Sequence, residues 1–316
     1  MKKVLVADKA DPICARVLEE RGLKPVVKTG MKPDELKACI AEYDAIIVRS
    51  ATTLTADLVK AATKLKAVAR AGSGVDNIDV PACTEKRVLV MNTPFGNTVS
   101  TGEHAVAMMM ALARHIPQAN SSTHAGKWEK KKFEGVELTG KTLGVVGCGN
   151  IGAVVADRAM GLKMKVMVND PVMTAERARE IGVHMASLDE LYAKSDFITY
   201  HVVIRDSTKG MLNRAAIAKM KKGVRLINCA RGGIMVEADV KEALQSGQIA
   251  GLACDVFVKE PATEHVFFGL ENVICTPHIA ASTADAQVTV ARQAAEQIAD
   301  FLLTGKKTHA INGDEF

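Results

Sequence analysis

Short apolar runs alternate with helix-spaced stretches along the chain. Residues 3–8 (KVLVAD) form a brief β-rich run, closed by a turn signal at Asp11-Pro12. Residues 11–21 carry helical spacing and stop at Gly22, and 24–28 is strand-like again. Pro33 near a first turn opens a helix to residue 41. A strand at 44–48, a helix at 55–62 and a strand at 67–70 complete a β-α-β-α-β-α-β series. That alternation predicts a parallel sheet with helices on both sides.

Residues 99–114 break the rhythm. Nearly every position is apolar, with methionines at 108–110, so the predicted helix is buried from several sides. His104 lies on it, and a histidine in such a place is more often a satisfied interior group than a ligand. Residues 119–139 read as a polar loop. A second α/β series follows, with strands at 141–146, 165–168, 197–201, 225–229, 249–256 and 273–276. An Ala-rich helix spans about 282–303 and has no evident place in the second sheet. The expected organisation is α/β with a discontinuous first domain of 1–98 plus 282–316 and a second of 99–281. The boundary helices would act as a hinge, with a cleft between the domains.

Apolar residues at 48% and charged residues at 24% are the balance of a soluble globular protein. Aromatics at 4% leave the core to Val, Ile, Leu, Ala and Met, which suits buried parallel strands. A formal charge of +5 is too small to argue for nucleic acid. The densest basic run, Lys130-Lys131-Lys132 after Lys127, is either a solvated loop or an anion site. Seven cysteines, an odd number without a CxxC pair, read as reduced thiols of a cytoplasmic protein, with no metal site expected. The first apolar run stops at Asp8, too short for a secretory signal, and no stretch approaches the roughly 18 apolar residues of a membrane span.

The strand at 141–146 runs straight into GCGNIG. Gly147 permits the tight turn, Gly149 lets a pyrophosphate approach the backbone, and Gly152 lets the helix pack on the strand. The helix N-terminus then offers free N–H groups to the phosphates. Asp170 ends the next strand, about 20 residues further on, where an acidic group holds the ribose hydroxyls and repels a 2′-phosphate. The expected cofactor is NAD, and the expected fold is two Rossmann-like/flavodoxin-like parallel-sheet domains, the second of which binds it.

Three side chains stand at expected strand ends in the second half: Arg231 in NCARGG, Glu260 in DVFVKEP and His278 in CTPH. Each alone could be a turn cap, an exposed acid or a packed loop residue. Together they suit hydride transfer at an alcohol carbon. His278 can take or give the hydroxyl proton near neutral pH. Glu260 would orient its ring, and Arg231 would hold a substrate carboxylate with a fixed pair of donors.

These residues, with RSATTLT (49–55), RAGSGVDNID (70–79), MNTPFGN (91–97), GKWEKKKF (126–133) and CTPH…AST (275–283), resemble the D-isomer-specific 2-hydroxyacid dehydrogenases over essentially the whole chain. The resemblance implies Arg231, Glu260 and His278 as the catalytic set. It implies that Asn150 and Ile151 meet the pyrophosphate and that Cys229, Ala230 and Asp255 line the nicotinamide. Ser73, His201 and Ala281 also belong to the implied cofactor site. The substrate carboxylate would meet Gly74 and Val75. Arg49 and Arg70 would meet a substrate phosphate, with Lys130 and Lys131 added from a neighbouring subunit. RSAT and GKWEKKKF favour the branch that oxidises 3-phosphoglycerate to 3-phosphohydroxypyruvate, the entry to serine synthesis. A homodimer or homotetramer acting on a small molecule is what the family suggests.

The chain departs from the family pattern in places. His201-Val202-Val203 replaces His-Thr-Pro, Ala280 replaces a glycine, and the acidic residue after GGI is displaced in Met235-Val236-Glu237. Loss of the threonine hydroxyl removes a hydrogen bond of about 0.5–1.5 kcal/mol. The chain ends at THAINGDEF, which leaves no room for the regulatory domain many relatives carry, so serine feedback through one is not expected. The competing expectations are a hydroxypyruvate or glyoxylate reductase, which needs no phosphate site, and an NAD-binding sensor that has lost efficient catalysis.

Overall fold

The computed structural model describes residues 1–316, which form two compact units, Met1–Asn97 with Ser282–Phe316 and Thr98–Ala281. In the first, β1 (Lys3–Val6), β2 (Lys24–Val27), β3 (Ala45–Val48), β4 (Ala67–Arg70) and β5 (Leu89–Asn92) alternate with α1 (Ile13–Glu20), α2 (Pro33–Cys39), α3 (Ala56–Ala61) and α4 (Val80–Glu85). All strands are parallel, in the order β2-β1-β3-β4-β5, the flavodoxin-like arrangement. The order reverses between β1 and β3. Sequence pattern passes over α4 and β5, because Pro81, Pro94 and Glu85-Lys86-Arg87 crowd a helix of six residues and a strand of four.

The second unit holds α5 (Thr98–Arg114), α6 (Ile116–His124), β6 (Thr142–Val146), α7 (Asn150–Gly161), β7 (Lys165–Asn169), α8 (Ala175–Ile181), β8 (His184–Met185), α9 (Leu188–Lys194), β9 (Phe197–Tyr200), α10 (Arg214–Ala218), β10 (Val224–Asn228), α11 (Glu237–Ser246), β11 (Ile249–Cys254) and β12 (Val273–Cys275). Its seven parallel strands run β12-β11-β10-β9-β6-β7-β8, the dinucleotide-binding order extended by one strand, with its reversal between β6 and β9. The loop expected over 119–139 is a correction. Residues 116–124 are helical, and Lys130–Phe133 form a 3-10 turn. Pro117 starts α6, but its Gln, Asn, Ser and Thr residues bury nothing, so no apolar period betrays it.

The last helix, α12 (Ala284–Thr304), returns to the first unit. Its Val290, Ala291, Ala294, Ala295, Ile298 and Leu302 pack with Val4, Val6, Ala45, Ile47, Ala67 and Ala69. The alternate strand positions Leu5, Ile46, Val48 and Val68 face Leu36, Leu58 and Val59 of α2 and α3 instead. The period-two split of β1, β3 and β4 between two helical layers explains why these strands tolerate almost no polar residue.

Helices α3, α9, α10 and α12 are capped by Thr55, Ser187, Asn213 and Thr283, each accepting a backbone N–H of the first turn. At the start of α11 stands Val236, which offers no such acceptor and is partly exposed. Val236→Asp is therefore expected to stabilise the protein by about 1 kcal/mol, read as a rise of roughly 2–4 °C in melting temperature. An unchanged melt would mean that the first turn of α11 gains nothing from a side-chain acceptor.

Candidate active site

Arg231, Glu260 and His278 follow β10, β11 and β12, three strands adjacent in the sheet, each beyond its C-terminal end. Open parallel sheets bind ligands at that edge. The Glu260 carboxylate joins two partners. Its Oε1 accepts from Phe257 N at 2.9 Å, and its Oε2 lies 2.6 Å from His278 Nδ1. A carboxylate accepts only, so this contact pairs Glu260 with an Nδ1–H of His278 and leaves Nε2 as the ring nitrogen not engaged by Glu260. His278 and Glu260 are both partly exposed, as groups that must meet a substrate are.

The loop that carries His278 is pinned from beneath. His278 has a left-handed backbone, φ 53, uncommon outside glycine. Asp255, fully enclosed at the end of β11, accepts from Ile279 N and Ala280 N at 2.9 Å each and from Thr276 Oγ1 at 2.6 Å. His104 Nε2 reaches Thr276 Oγ1 at 3.3 Å and lies 3.6 Å from Asp255. Burial opposes ionisation of Asp255, but the bonds from His104, Thr276, Ile279 and Ala280 outweigh it and hold its carboxyl below the usual range. His104 is thus a bonded interior group. Its partners come from a loop 170 residues away, which no local pattern reveals.

Arg231 is partly buried and anchors Nη1 on Ala230 O at 2.7 Å, while Asn228 Nδ2 donates to Arg231 O at 2.9 Å. Gly232 lies directly against the Phe257 backbone. A Cβ there would stand 2.1 Å from its carbonyl carbon and 2.4 Å from Val258 N. The loop bearing Arg231 and the loop bearing Glu260 are therefore held in contact by the missing side chain.

The glycine-rich turn sits at the β6/β9 reversal. Gly147, at φ 86, donates its N–H to Asn169 O at 2.8 Å, and a Cβ there would meet Val202 Cγ1 and His201 O. A Cβ at Gly152 would stand 2.2 Å from Gly147 O, whereas Gly149, ahead of Asn150 and Ile151 in the first turn of α7, faces open space. One glycine is required by packing and another leaves room for a ligand beside free N–H groups, which fits a pyrophosphate. Asp170 accepts from Cys148 N at 2.7 Å and from Val172 N at 2.9 Å, and each oxygen keeps an acceptor position for a ribose hydroxyl. His201 bonds Thr199 Oγ1 through Nε2 at 2.9 Å, and burial pushes its pKa down to about 4, so it is neutral. Its buried Nδ1 has no protein partner. Cys229 is buried with its thiol pushed well up by burial, and Ala230 and Ala281 are partly exposed. All seven cysteines are free thiols, five of them buried.

In the first unit, β3 and β4 are neighbours in register, and Arg49 and Arg70 stand at their C-terminal ends. Ser73, Gly74 and Val75 follow in the turn after β4. Ser73 Oγ bonds Asn97 Oδ1 at 2.5 Å, and Asn92 Nδ2 donates to Ser73 O at 2.6 Å. Lys130 and Lys131 are exposed on the 3-10 turn of the second unit.

Residues 106–280, more than half the chain, match the D-isomer specific 2-hydroxyacid dehydrogenase NAD-binding domain, and the chain belongs to that family. NAD is the cofactor of this domain. Over 312 residues the chain is 46% identical to D-3-phosphoglycerate dehydrogenase of Rattus norvegicus, covering 99% of this chain and 58% of that one. The enzyme of the same name from Synechocystis is 47% identical, with 99% and 56% covered. The chain thus spans less than three-fifths of these relatives' length. The NAD+-bound 3-phosphoglycerate dehydrogenase structure from Entamoeba histolytica superposes with a TM-score of 0.83 at 28% identity, covering 98% of each chain.

Proposed function

We propose that the protein oxidises D-3-phosphoglycerate to 3-phosphohydroxypyruvate with NAD, the first step of serine biosynthesis. The observation that carries the reading is the His278–Glu260 dyad beyond β12, with Nδ1 and Oε2 2.6 Å apart; within its own sheet, the first unit carries Arg49 and Arg70 at the ends of the adjacent strands β3 and β4. The relatives' names agree with it. A bound nicotinamide would supply the hydride acceptor for oxidation at C2 of the substrate. His278 Nε2 takes the proton of the C2 hydroxyl, and Glu260 holds the resulting imidazolium by its Nδ1–H. Arg231 holds the substrate carboxylate and stabilises charge on the C2 oxygen. Gly74 and Val75 offer backbone N–H groups to the carboxylate, and Arg49 and Arg70 meet the phosphate with planar, fixed donors.

The catalytic set is proposed as Arg231, Glu260 and His278. The cofactor set is Ser73, Gly147, Gly149, Asn150, Ile151, Gly152, Asp170, His201, Cys229, Ala230, Asp255 and Ala281. Free, buried thiols fit a cytoplasmic setting. No helix is long and apolar enough to cross a membrane. A homodimer or homotetramer is proposed, with the segment 116–133 as contact, where α6 buries nothing and Trp128 is 87% exposed.

The test follows NADH absorbance with 3-phosphoglycerate and NAD, then consumption of NADH with hydroxypyruvate. Arg49→Ala is expected to raise KM for 3-phosphoglycerate at least about tenfold, the loss of one charge-assisted contact to phosphate. Turnover of unphosphorylated acids alone would assign the reductase activity instead, and NAD binding without turnover of either would make the protein a sensor.

A further inference from the structure

The turn that carries Arg49 is gripped from two sides by residues with no assigned role. Asp8 follows β1 and is almost fully buried. Its Oδ2 accepts the backbone N–H of Arg49 at 2.6 Å and of Thr52 at 3.2 Å, and its Oδ1 accepts from Thr52 Oγ1 at 2.6 Å. Asn77 comes from the opposite direction. Its Nδ2 donates to the carbonyls of the same two residues, Arg49 and Thr52, at 2.6 Å each. Both backbone donors and both backbone acceptors of the two residues are thereby bound by two side chains.

The Arg49 side chain is fixed as well. Its Nη1 donates to Lys9 O at 2.8 Å, one residue beyond Asp8. Its Nε is closed to water and has no protein partner. An orphaned donor on a permanently charged group is costly, and a bound oxyanion relieves that cost. The location points the same way. Asp8 and Arg49 follow β1 and β3, between which the strand order reverses, the place where open α/β sheets take ligands.

We propose that Asp8, Thr52 and Asn77 are positioning residues that hold the Arg49 guanidinium where it receives the phosphate of a phosphorylated 2-hydroxy acid. The inference rests on the phosphoglycerate reading above. Asp8 touches no substrate; it acts by fixing the Arg49 backbone. Its carboxylate receives three donors, the N–H groups of Arg49 and Thr52 and the Thr52 hydroxyl, and a neutral amide would weaken these charge-assisted bonds and turn the hydroxyl from donor to acceptor. The role concerns the phosphate end of the substrate, not the C2 hydroxyl.

The experiment compares Asp8→Asn, Thr52→Val, Thr52→Ser and Arg49→Ala with the parent protein, using 3-phosphoglycerate with NAD and hydroxypyruvate with NADH. Melting temperature is recorded for each. Asp8→Asn and Thr52→Val are expected to raise KM for 3-phosphoglycerate about tenfold, the size of one misplaced charge-assisted hydrogen bond, with kcat within about twofold. Thr52→Ser, which keeps the hydroxyl, is expected to restore the parent KM. Hydroxypyruvate, which has no phosphate, is expected to show less than about a twofold change in kcat/KM. A raised KM in Arg49→Ala with parent values in Asp8→Asn and Thr52→Val overturns the clamp and leaves the substrate reading standing. Parent KM in Arg49→Ala overturns the substrate reading, and the clamp with it. Equal losses on both substrates together with a lowered melt show a purely structural turn and overturn the proposal. Should Asp8→Asn fail to fold, the Thr52→Val and Thr52→Ser pair decides by the same criteria.

Discussion

Replacing His278 by Ala is expected to lower kcat by about 10²–10⁴-fold, the usual contribution of a positioned general base, while affinity for NAD, read by fluorescence titration of NADH, is expected to stay near that of the parent. The two readouts separate because the glycine turn proposed for the pyrophosphate and the proposed base belong to different parts of the sheet edge. The glycine turn lies at the β6/β9 reversal, whereas His278 follows β12 at the far end of the strand order. Glu260→Gln is expected to be milder. Its amide oxygen can still accept from His278 Nδ1, but it cannot neutralise the imidazolium formed as the substrate hydroxyl ionises. Near-parent turnover in His278→Ala would remove the dyad from the reaction altogether.

Gly232→Ala is expected to lower kcat by about 10²-fold without touching any reacting group. A methyl at this position would lie 2.1–2.4 Å from three backbone atoms of Phe257 and Val258. No flexible side chain is there to yield, so the backbone must shift by about 1 Å, a misplacement that typically costs about this much in rate. The same movement carries Arg231 away on one side and, through Phe257 N, disturbs Glu260 on the other. The measurement is kcat beside the melting curve and NADH titration. A variant with parent kcat would show that the two loops adjust independently and that their contact does not set the catalytic geometry.

What could be read from the sequence was whatever repeats along it or sits on one short segment. The alternation of strands and helices revealed the first sheet because β3 is apolar throughout and β4 up to its last residue, Arg70. The glycine turn was readable because Gly147, Gly149, Gly152 and Asp170 all sit within one β-α-β unit. Arg231, Glu260 and His278 could be named from strand ends and family resemblance, but their union depended on strand neighbours that only the fold supplies. What escaped was either short or assembled from afar. The six-residue α4 carries no full apolar period, and α6 is polar on every face. The Asp8–Thr52–Asn77 grip joins three segments through ordinary polar residues, each unremarked in its own context. The bonds from the loop beneath His278 to Asp255 likewise join segments more than 20 residues apart, which no local pattern connects.

The return of α12 to the first unit imposes an order of assembly. The five strands of that unit precede Asn97, yet one face of their sheet is covered by Val290, Ala291, Ala294, Ala295 and Ile298 of α12 beside Cys14, Val17 and Leu18 of α1. During synthesis β1 to β5 have only α1 on that face until α12 is made. The second unit, continuous from Thr98 to Ala281, has all its core residues in hand before then and can close first. Of the two sheets, that of β1 to β5 is thus begun before the other and finished after it, and its part-covered apolar face in the interval is where a nascent chain is most open to aggregation and to chaperone capture.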